Sequence, residues 1–278
     1  MNNKIAVTGA NGFIGQAIIK ELRIRGFNVL ALVHRMPLEK IKGIEYKLFE
    51  LGKDIVELND YEIDKLIHLA FEFKKSDRLE DQNILTAKKL KSLNISQFIF
   101  ISSFAANPPI TDSYYGRCKS KMEYYFKDDL IIRPGLVLGN GGLFGKIFTQ
   151  LKKNKILPLI NGGNQLIYTI HIEDLIKAII IGVENNSKGI WNVAHNTPVS
   201  YKELILMIST KLKIKPILIP LPIFLIRGII WLLKIINKPL ITRDNLNGLL
   251  TPKVVNTTID MININENWKD TKTSISII

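Results

Sequence analysis

The sequence has few of the residues that build disulfide frameworks, metal sites or hydrolase centres. It contains one cysteine, Cys118, among 278 residues, so no internal disulfide can form, and this usage fits the reducing cytoplasm. The four histidines are dispersed, without the cysteine or carboxylate spacing of a metal site. Neither a Gly-x-Ser-x-Gly elbow nor a secretory signal pattern is present. We therefore expect a cytoplasmic protein that holds no metal and is not a serine hydrolase.

An apolar run long enough to cross a bilayer is also lacking. The stretch 222–236 is strongly apolar, but Arg227 and Lys234 interrupt it. Fifteen helical residues rise only about 22 Å, against a hydrocarbon core of roughly 30 Å. We expect a helix of a small C-terminal lobe or a homodimer contact here. Peripheral contact with a membrane through an interfacial helix is the alternative.

The net charge of +13 does not indicate a nucleic-acid-binding protein. Lysines are scattered along the whole chain, and no arginine-rich stripe with interleaved aromatic residues occurs. A basic surface still favours an anionic ligand such as a nucleotide.

Short apolar runs alternate with helical patterns along the first half of the chain. This alternation predicts an α/β fold with a Rossmann-type, doubly wound parallel sheet covered by helices on both faces. The texture changes after Pro134, and we expect a dinucleotide-binding domain at 1–160 and a small substrate lobe at 161–278, with later strands returning to the first sheet. The expected strands are 5–8, 29–33, 43–49, 65–70, 97–102, 130–133, 166–170 and 190–193, and the expected helices are 14–25, 82–93, 114–127, 143–153, 173–184 and 200–212.

A glycine-rich loop directly follows the first predicted strand. Gly9 permits the tight turn, Gly12 lets the backbone approach a pyrophosphate, and Gly15 lets the next helix pack close to the strand. The free N–H groups at the helix start attract phosphates. We therefore predict dinucleotide binding by this loop, whose candidate contacts are Gly9, Asn11, Gly12, Phe13, Ile14 and Gly15.

The end of the second strand indicates which dinucleotide binds. An acidic residue there would hold the ribose hydroxyls of NAD, but the chain reads Val33-His34-Arg35. Arg35 can pair with a 2′-phosphate, so NADP is favoured and NAD is the alternative. Arg35 could instead stack on adenine or face solvent.

Tyr115 and Lys119 are four residues apart on one predicted helix. An ammonium beside a phenol lowers the phenol pKa, so Tyr115 could exchange a proton with a substrate oxygen. Ser103, at the end of the fifth strand, would bind the same oxygen. Tyr61 and Lys65 have the same spacing but no serine-ended strand before them, and we interpret that pair as structural.

Several segments together resemble the extended and atypical short-chain dehydrogenases of the NAD-dependent epimerase/dehydratase group. The strand ending in Ser103 and the helix carrying Tyr115, Lys119 and Glu123 are similar to that group's catalytic segments. His68-Leu69-Ala70 resembles the strand end beneath the cofactor. Further matching segments are Asn83, 133–139 and 170–175. The resemblance adds Ala70, Arg133 and Pro134 to the cofactor contacts. Tyr115 and Lys119 are expected cofactor contacts as well, since the lysine can also hydrogen-bond the nicotinamide ribose. We interpret Asp174 as a helix cap.

This resemblance implies oxidoreduction at a sugar carbon of a nucleotide-sugar, by a 4-keto reductase or 4-epimerase serving cell-surface polysaccharide biosynthesis. The brief loops at 71–83 and 103–115 indicate a reduced substrate lid. Phe104 and Ala105 stand where dehydratases usually place an acidic pair, so elimination of water is less expected. The alternatives are a non-catalytic NAD(P)-binding scaffold and a reductase of a non-sugar carbonyl.

Overall fold

A parallel sheet of seven strands forms the centre of the fold in a computed structural model, which describes residues 3–73, 80–107, 113–153, 156–221, 255–257, 260, 264 and 267–278. The sheet confirms the predicted fold class, and its first six strands lie within two residues of the predicted bounds. Its strands are β1 (Lys4–Thr8), β2 (Asn28–Val33), β3 (Ile44–Leu48), β4 (Lys65–His68), β5 (Gln97–Ile101), β6 (Leu130–Pro134) and β11 (Gly189–Val193).

The strand order is β11-β6-β5-β4-β1-β2-β3. The chain therefore leaves β1 in one direction to build β2 and β3, and then crosses to β4 on the other side. This reversal opens a crevice at the carboxyl ends of β1 and β4, where doubly wound sheets bind ligands. The strand expected at 190–193 returns to the sheet as β11, parallel to β6.

Helices cover both faces of the sheet because each buries one apolar stripe. On one face, Ile18 and Leu22 pack with Leu175 and Ile179. On the other face, Ala87 and Leu90 pack with Met122 and Phe126. The helices are α1 (Phe13–Ile24), α2 (Gln82–Leu90), α3 (Tyr114–Tyr125), α4 (Gly142–Lys153), α5 (Ile172–Glu184), α6 (Tyr201–Lys211) and α7 (Thr271–Ile277).

A smaller lobe has its own apolar core, formed around α4, α6 and α7. The strand expected at 166–170 is two short strands on either side of Tyr168, because the two parts pair with different partner strands. The short strands pair as β7 (Leu136–Leu138) with β10 (Thr169–His171), β9 (Leu166–Ile167) with β12 (Val199–Ser200), and β8 (Ile156–Ile160) with β13 (Ile217–Leu221). The lobe's buried residues include Leu138, Phe144, Leu151, Leu204, Ile205, Ile208 and Ile275. The domain boundary at 160 stays a prediction.

The end of the chain packs back on the central sheet. Trp268 lies in the same buried cluster as α1 and α5. The Lys269 backbone N–H donates to the Asp174 carboxylate at 2.9 Å, and the Lys269 ammonium donates to it at 2.8 Å. The interpretation of Asp174 as a helix cap was therefore wrong: His171 is the N-cap of α5, and Asp174 fastens the C-terminal segment.

No helix within the described ranges is both long and apolar enough to span a membrane. The predicted helix at 222–236 lies outside the described residues, so its suggested membrane or dimer contact stays a prediction.

Candidate active site

The glycine loop between β1 and α1 is packed so closely that Gly9 and Gly15 have no room for a side chain. Gly9 has φ +69°, and a Cβ there would lie 2.9 Å from the Ala70 nitrogen. A Cβ on Gly15 would lie 2.2 Å from the Gly9 carbonyl oxygen. Gly12 is the N-cap of α1, and no side chain caps that helix end. The loop therefore has the close packing and the uncapped amides that a dinucleotide pyrophosphate fits.

A hydroxyl clamp joins the ends of β1 and β4 beneath this loop. The Thr8 hydroxyl oxygen accepts hydrogen bonds from the Leu69 and Ala70 N–H groups at 3.1 and 3.2 Å. It also lies 2.7 Å from His68 Nδ1. Burial, and secondarily the charge of Lys119, lowers the pKa of His68 to about 3, so the ring is neutral. The Thr8 hydroxyl and Nδ1 therefore share one hydrogen bond, whose donor depends on the tautomer of the ring.

The end of β2 lies beside the glycine loop, as the cofactor prediction requires. The Asn11 side-chain amide donates to the Arg35 carbonyl oxygen at 2.6 Å, and the Arg35 side chain is exposed. Phe13 packs against the glycine elbow at 139–142. Ile14 turns inward and packs on the central core. The structure therefore brings Arg35 and the loop to one edge of the crevice.

Ser103, Tyr115 and Lys119 meet at the carboxyl end of β5. The Ser103 hydroxyl lies close enough to the Tyr115 hydroxyl to lower the pKa of the phenol, and it accepts a hydrogen bond from the Ala105 N–H at 3.2 Å. Lys119, one turn along α3, is buried, and its ammonium lies 5.9 Å from the centroid of the Tyr115 ring. The ammonium donates to the Ile101 carbonyl oxygen at 2.7 Å. The predicted catalytic residues are thus neighbours, positioned by the start of one helix and the end of one strand.

The pKa values of Tyr115 and Lys119 differ from what their spacing in the sequence predicts. The pKa of Tyr115 is raised, because burial disfavours the phenolate more than the nearby Ser103 hydroxyl favours it. Burial also lowers the pKa of Lys119 to about 7, with Glu123 partly opposing the shift. The predicted lowering of the Tyr115 pKa by Lys119 was therefore wrong for this protein, since desolvation is the larger effect on both groups.

Comparison with known proteins agrees with this geometry. A profile of the NAD dependent epimerase/dehydratase family matches residues 5–194. The chain belongs to that family.

Two curated relatives illustrate its range. The chain is 25% identical over 254 residues to a dTDP-6-deoxy-L-talose 4-dehydrogenase (NAD(+)) of Aggregatibacter actinomycetemcomitans, covering 76% of this chain and 92% of that protein. It is 24% identical over 267 residues to a UDP-glucose 4-epimerase of Vibrio cholerae, covering 81% and 80%. It spans about half, 53%, of another relative, an uncharacterised protein of Sinorhizobium fredii.

The fold is also that of solved structures. A dTDP-glucose 4,6-dehydratase from Bacillus anthracis, solved in complex with NAD, superposes with a TM-score of 0.75. The match covers 99% of this chain and 94% of the dehydratase, at 15% sequence identity. At this identity the likeness shows the shared fold.

In this member of the epimerase/dehydratase family, a buried ion pair supports α3. Glu123 accepts from Arg133 Nε at 2.8 Å and from Arg133 Nη2 at 2.5 Å, and the Ser102 hydroxyl donates to it at 2.5 Å. The remaining Arg133 nitrogen donates to the Asn107 side chain. These bonds join α3 to the ends of β5 and β6 directly beside Ser103. Cofactor binding by Arg133 and its neighbour Pro134 stays a prediction.

Other polar contacts surround the site without being visible in the sequence. The Tyr114 hydroxyl donates to Asp81, the N-cap of α2, and accepts from the Asn83 amide at 3.2 Å. Burial and this carboxylate raise the pKa of Tyr114. Tyr114 therefore fixes the start of α3 against α2, and its neighbour Tyr115 is the tyrosine that meets Ser103.

The matched pair Tyr61 and Lys65 makes contacts away from this centre. The Lys65 ammonium donates to the Val183 carbonyl oxygen at 2.5 Å and to Asn186 at 2.6 Å, while the Tyr61 hydroxyl accepts from Lys47. Equal spacing in sequence thus places the two tyrosine–lysine pairs in different environments. Within the described residues, no group of three potential ligands could hold a metal ion.

Proposed function

We propose that this chain is an NAD(P)-dependent oxidoreductase that acts at C4 of a nucleotide-linked sugar, as a 4-keto reductase or a 4-epimerase. The observation that carries the proposal is the juxtaposition of Ser103 and Tyr115, with Lys119 one turn away, beside a glycine loop suited to a dinucleotide. A bound nicotinamide cofactor would supply or accept the hydride.

The side chains of the centre can divide the remaining work. Tyr115 is the proton donor or acceptor at the substrate oxygen, and Ser103 orients that oxygen through a second hydrogen bond. Lys119 would hydrogen-bond the ribose of the nicotinamide cofactor. Because the pKa of Lys119 is lowered to about 7, its protonation would depend on the charges that bind beside it. Because the pKa of Tyr115 is raised, the phenol is protonated at neutral pH. A protonated phenol can donate to a carbonyl oxygen in reduction, and the phenolate that forms can take the proton back in oxidation.

The names of two curated relatives support C4 as the sugar carbon at which the reaction takes place. One relative is a 4-dehydrogenase and the other a 4-epimerase, so both names place the reaction at C4. We infer NADP as the preferred cofactor because Arg35, and no carboxylate, ends the second strand beside the loop. The buried Cys118, which forms no disulfide, fits a cytoplasmic enzyme. We infer that the enzyme supplies nucleotide-sugars for cell-surface polysaccharide.

Tyr115→Phe tests the role of the phenol. Wild type should interconvert 4-keto and 4-hydroxy forms in a panel of UDP- and dTDP-hexoses, and the variant should lose roughly 10²- to 10⁴-fold in kcat. Cofactor affinity, measured by calorimetry, should change less than about two-fold, because phosphate and adenine contacts supply most of it. Tyr61→Phe is the matched control and should stay active.

Two results would refute the proposal. Near-normal turnover by Tyr115→Phe would remove this residue from the mechanism. Cofactor binding by the wild type without turnover of any panel member, in either direction, would favour the scaffold or a different carbonyl substrate.

A further inference from the structure

Two phenylalanines after β4 form a wall against the Tyr115 ring. Phe71 meets Tyr115 edge to face, with ring centroids 4.9 Å apart. Phe73 stacks on Tyr115 with centroids 5.6 Å apart and ring planes inclined by 16°. The two phenylalanines also contact each other at 5.1 Å. Both are thus in van der Waals range of the residue that carries the proposed proton transfer.

Asn83 holds this segment in place. The Asn83 side chain is fully buried, accepts a hydrogen bond from the Glu72 N–H at 2.8 Å and donates to the Glu72 carbonyl oxygen at 3.1 Å. Glu72 lies between the two phenylalanines, so both of its backbone groups are fixed by one side chain. The rings are therefore preorganised, and a ligand that binds to them has little backbone entropy to remove.

The two rings differ in exposure. Phe71 is half-buried, and the Lys119 ammonium lies 5.1 Å from its ring centroid. Phe73 is 73% exposed although it stacks on Tyr115. A large aromatic side chain held exposed beside a reacting hydroxyl offers an apolar surface to whatever approaches that hydroxyl.

We propose that Phe71 and Phe73 form a specificity wall that selects sugars with an apolar, uncharged edge next to the reacting carbon, 6-deoxyhexoses above hexoses and hexoses above hexuronates. This inference rests on the proposed function. A methyl group or a C–H face packs on a phenyl ring, whereas a carboxylate would lose water there without gaining a hydrogen bond from the rings. The Lys119 ammonium, 5.1 Å from the Phe71 ring, already donates to the Ile101 carbonyl oxygen. A hydroxymethyl group lies between these extremes, since it adds one polar group.

The expected selectivity is graded. Hydrophobic surfaces reject an added hydroxyl weakly, so UDP-6-deoxyglucose should bind about three-fold more tightly than UDP-glucose. UDP-glucuronate should bind at least roughly 30-fold more weakly than UDP-6-deoxyglucose, because a full charge is desolvated against the rings. The same order should hold in the dTDP series.

The test is calorimetric titration of the full, cofactor-loaded chain with these nucleotide-sugars. Phe73→Ala should reduce the preference for UDP-6-deoxyglucose over UDP-glucuronate to below about five-fold. Phe73→Lys should reduce this preference further, because the ammonium supplies a partner for the carboxylate. Tyr124→Ala is the matched control, since Tyr124 is 71% exposed on the same helix as Tyr115 and packs on Tyr125 instead. It should leave the preference unchanged.

A second measurement is independent of the sugar. With fluorotyrosine at position 115, the fluorine solvent-isotope shift reports how much water reaches the ring, and Phe73→Ala should at least roughly double it because the stacked face becomes exposed. An unchanged preference and an unchanged isotope shift in Phe73→Ala, with sugars still bound and turned over, would overturn the wall while the proposed function stands. Failure of every nucleotide-sugar to bind wild type would overturn both.

Discussion

Gly15 has no room for a methyl group, and we expect Gly15→Ala to destabilise the fold and weaken cofactor binding. The new Cβ would lie 2.2 Å from the Gly9 carbonyl oxygen, while ordinary contacts begin at 3.4 Å, so helix and loop must separate by about 1.2 Å. Overpacking of this kind lowers the free energy of unfolding by up to about 3 kcal/mol. The higher helix propensity of alanine raises it by about 1 kcal/mol. The net loss should be about 2 kcal/mol, or a Tm lower by roughly 4–8 °C.

Gly145→Ala is the matched control for this prediction. Gly145 also lies in a helix, α4, but its nearest neighbour to a new Cβ is the Asn140 carbonyl carbon at 3.6 Å. Alanine should therefore stabilise the protein there by about 1 kcal/mol. Thermal unfolding gives the stabilities, and calorimetry should show NADP affinity falling about ten-fold, or 1.4 kcal/mol, only in Gly15→Ala. Equal stability and equal cofactor affinity in the two variants would refute the close-packing argument.

Three further predictions follow from other contacts. Wild type should bind NADP(H) more tightly than NAD(H), and Arg35→Ala should narrow the difference in calorimetric titrations; tighter NAD binding by wild type would reverse the cofactor choice and favour an epimerase. Because the pKa of His68 is lowered to about 3, its contribution to stability is complete above the unfolded pKa of about 6.5 and is lost as pH falls. Urea unfolding should show a loss of about 2 kcal/mol between pH 7.5 and 5 that His68→Asn reduces, and an unchanged pH dependence in the variant would contradict this. Glu123→Gln leaves the Arg133 guanidinium, 13% exposed, without its carboxylate and should lower the free energy of unfolding by about 3–5 kcal/mol. The double variant Glu123→Gln with Arg133→Gln should recover part of that loss in the same assay, and equal losses in the two variants would contradict this.

The features that were predicted correctly depend on residues close together in the chain. The glycine loop needs a strand, three glycines and a helix in succession, and 5–24 supplies all of them. Tyr115 and Lys119 share a helix face because they are four residues apart. Ser103 was located because the strand before it resembles the serine-ended strand of the epimerase/dehydratase group.

The features that were missed depend on residues far apart in the chain. Phe71 and Phe73 lie about 40 positions before Tyr115, and no sequence period links them. Glu123 was visible as a residue of the helix that carries Tyr115 and Lys119, but its partner Arg133 belongs to a different element. Asp174 was interpreted as a cap because it begins a helix, yet its partner Lys269 is 95 positions away.

The sequence alone determined the alternation of strands and helices, the glycine loop and the spacing of the tyrosine and lysine, because these follow from local geometry and short periods. Only the tertiary structure decided which distant groups pair with Glu123 and Asp174, and in which direction the pKa of Tyr115 moves. The physical reason is that desolvation and ion pairing depend on what the fold packs around a group, and neither is encoded in its nearest neighbours along the chain.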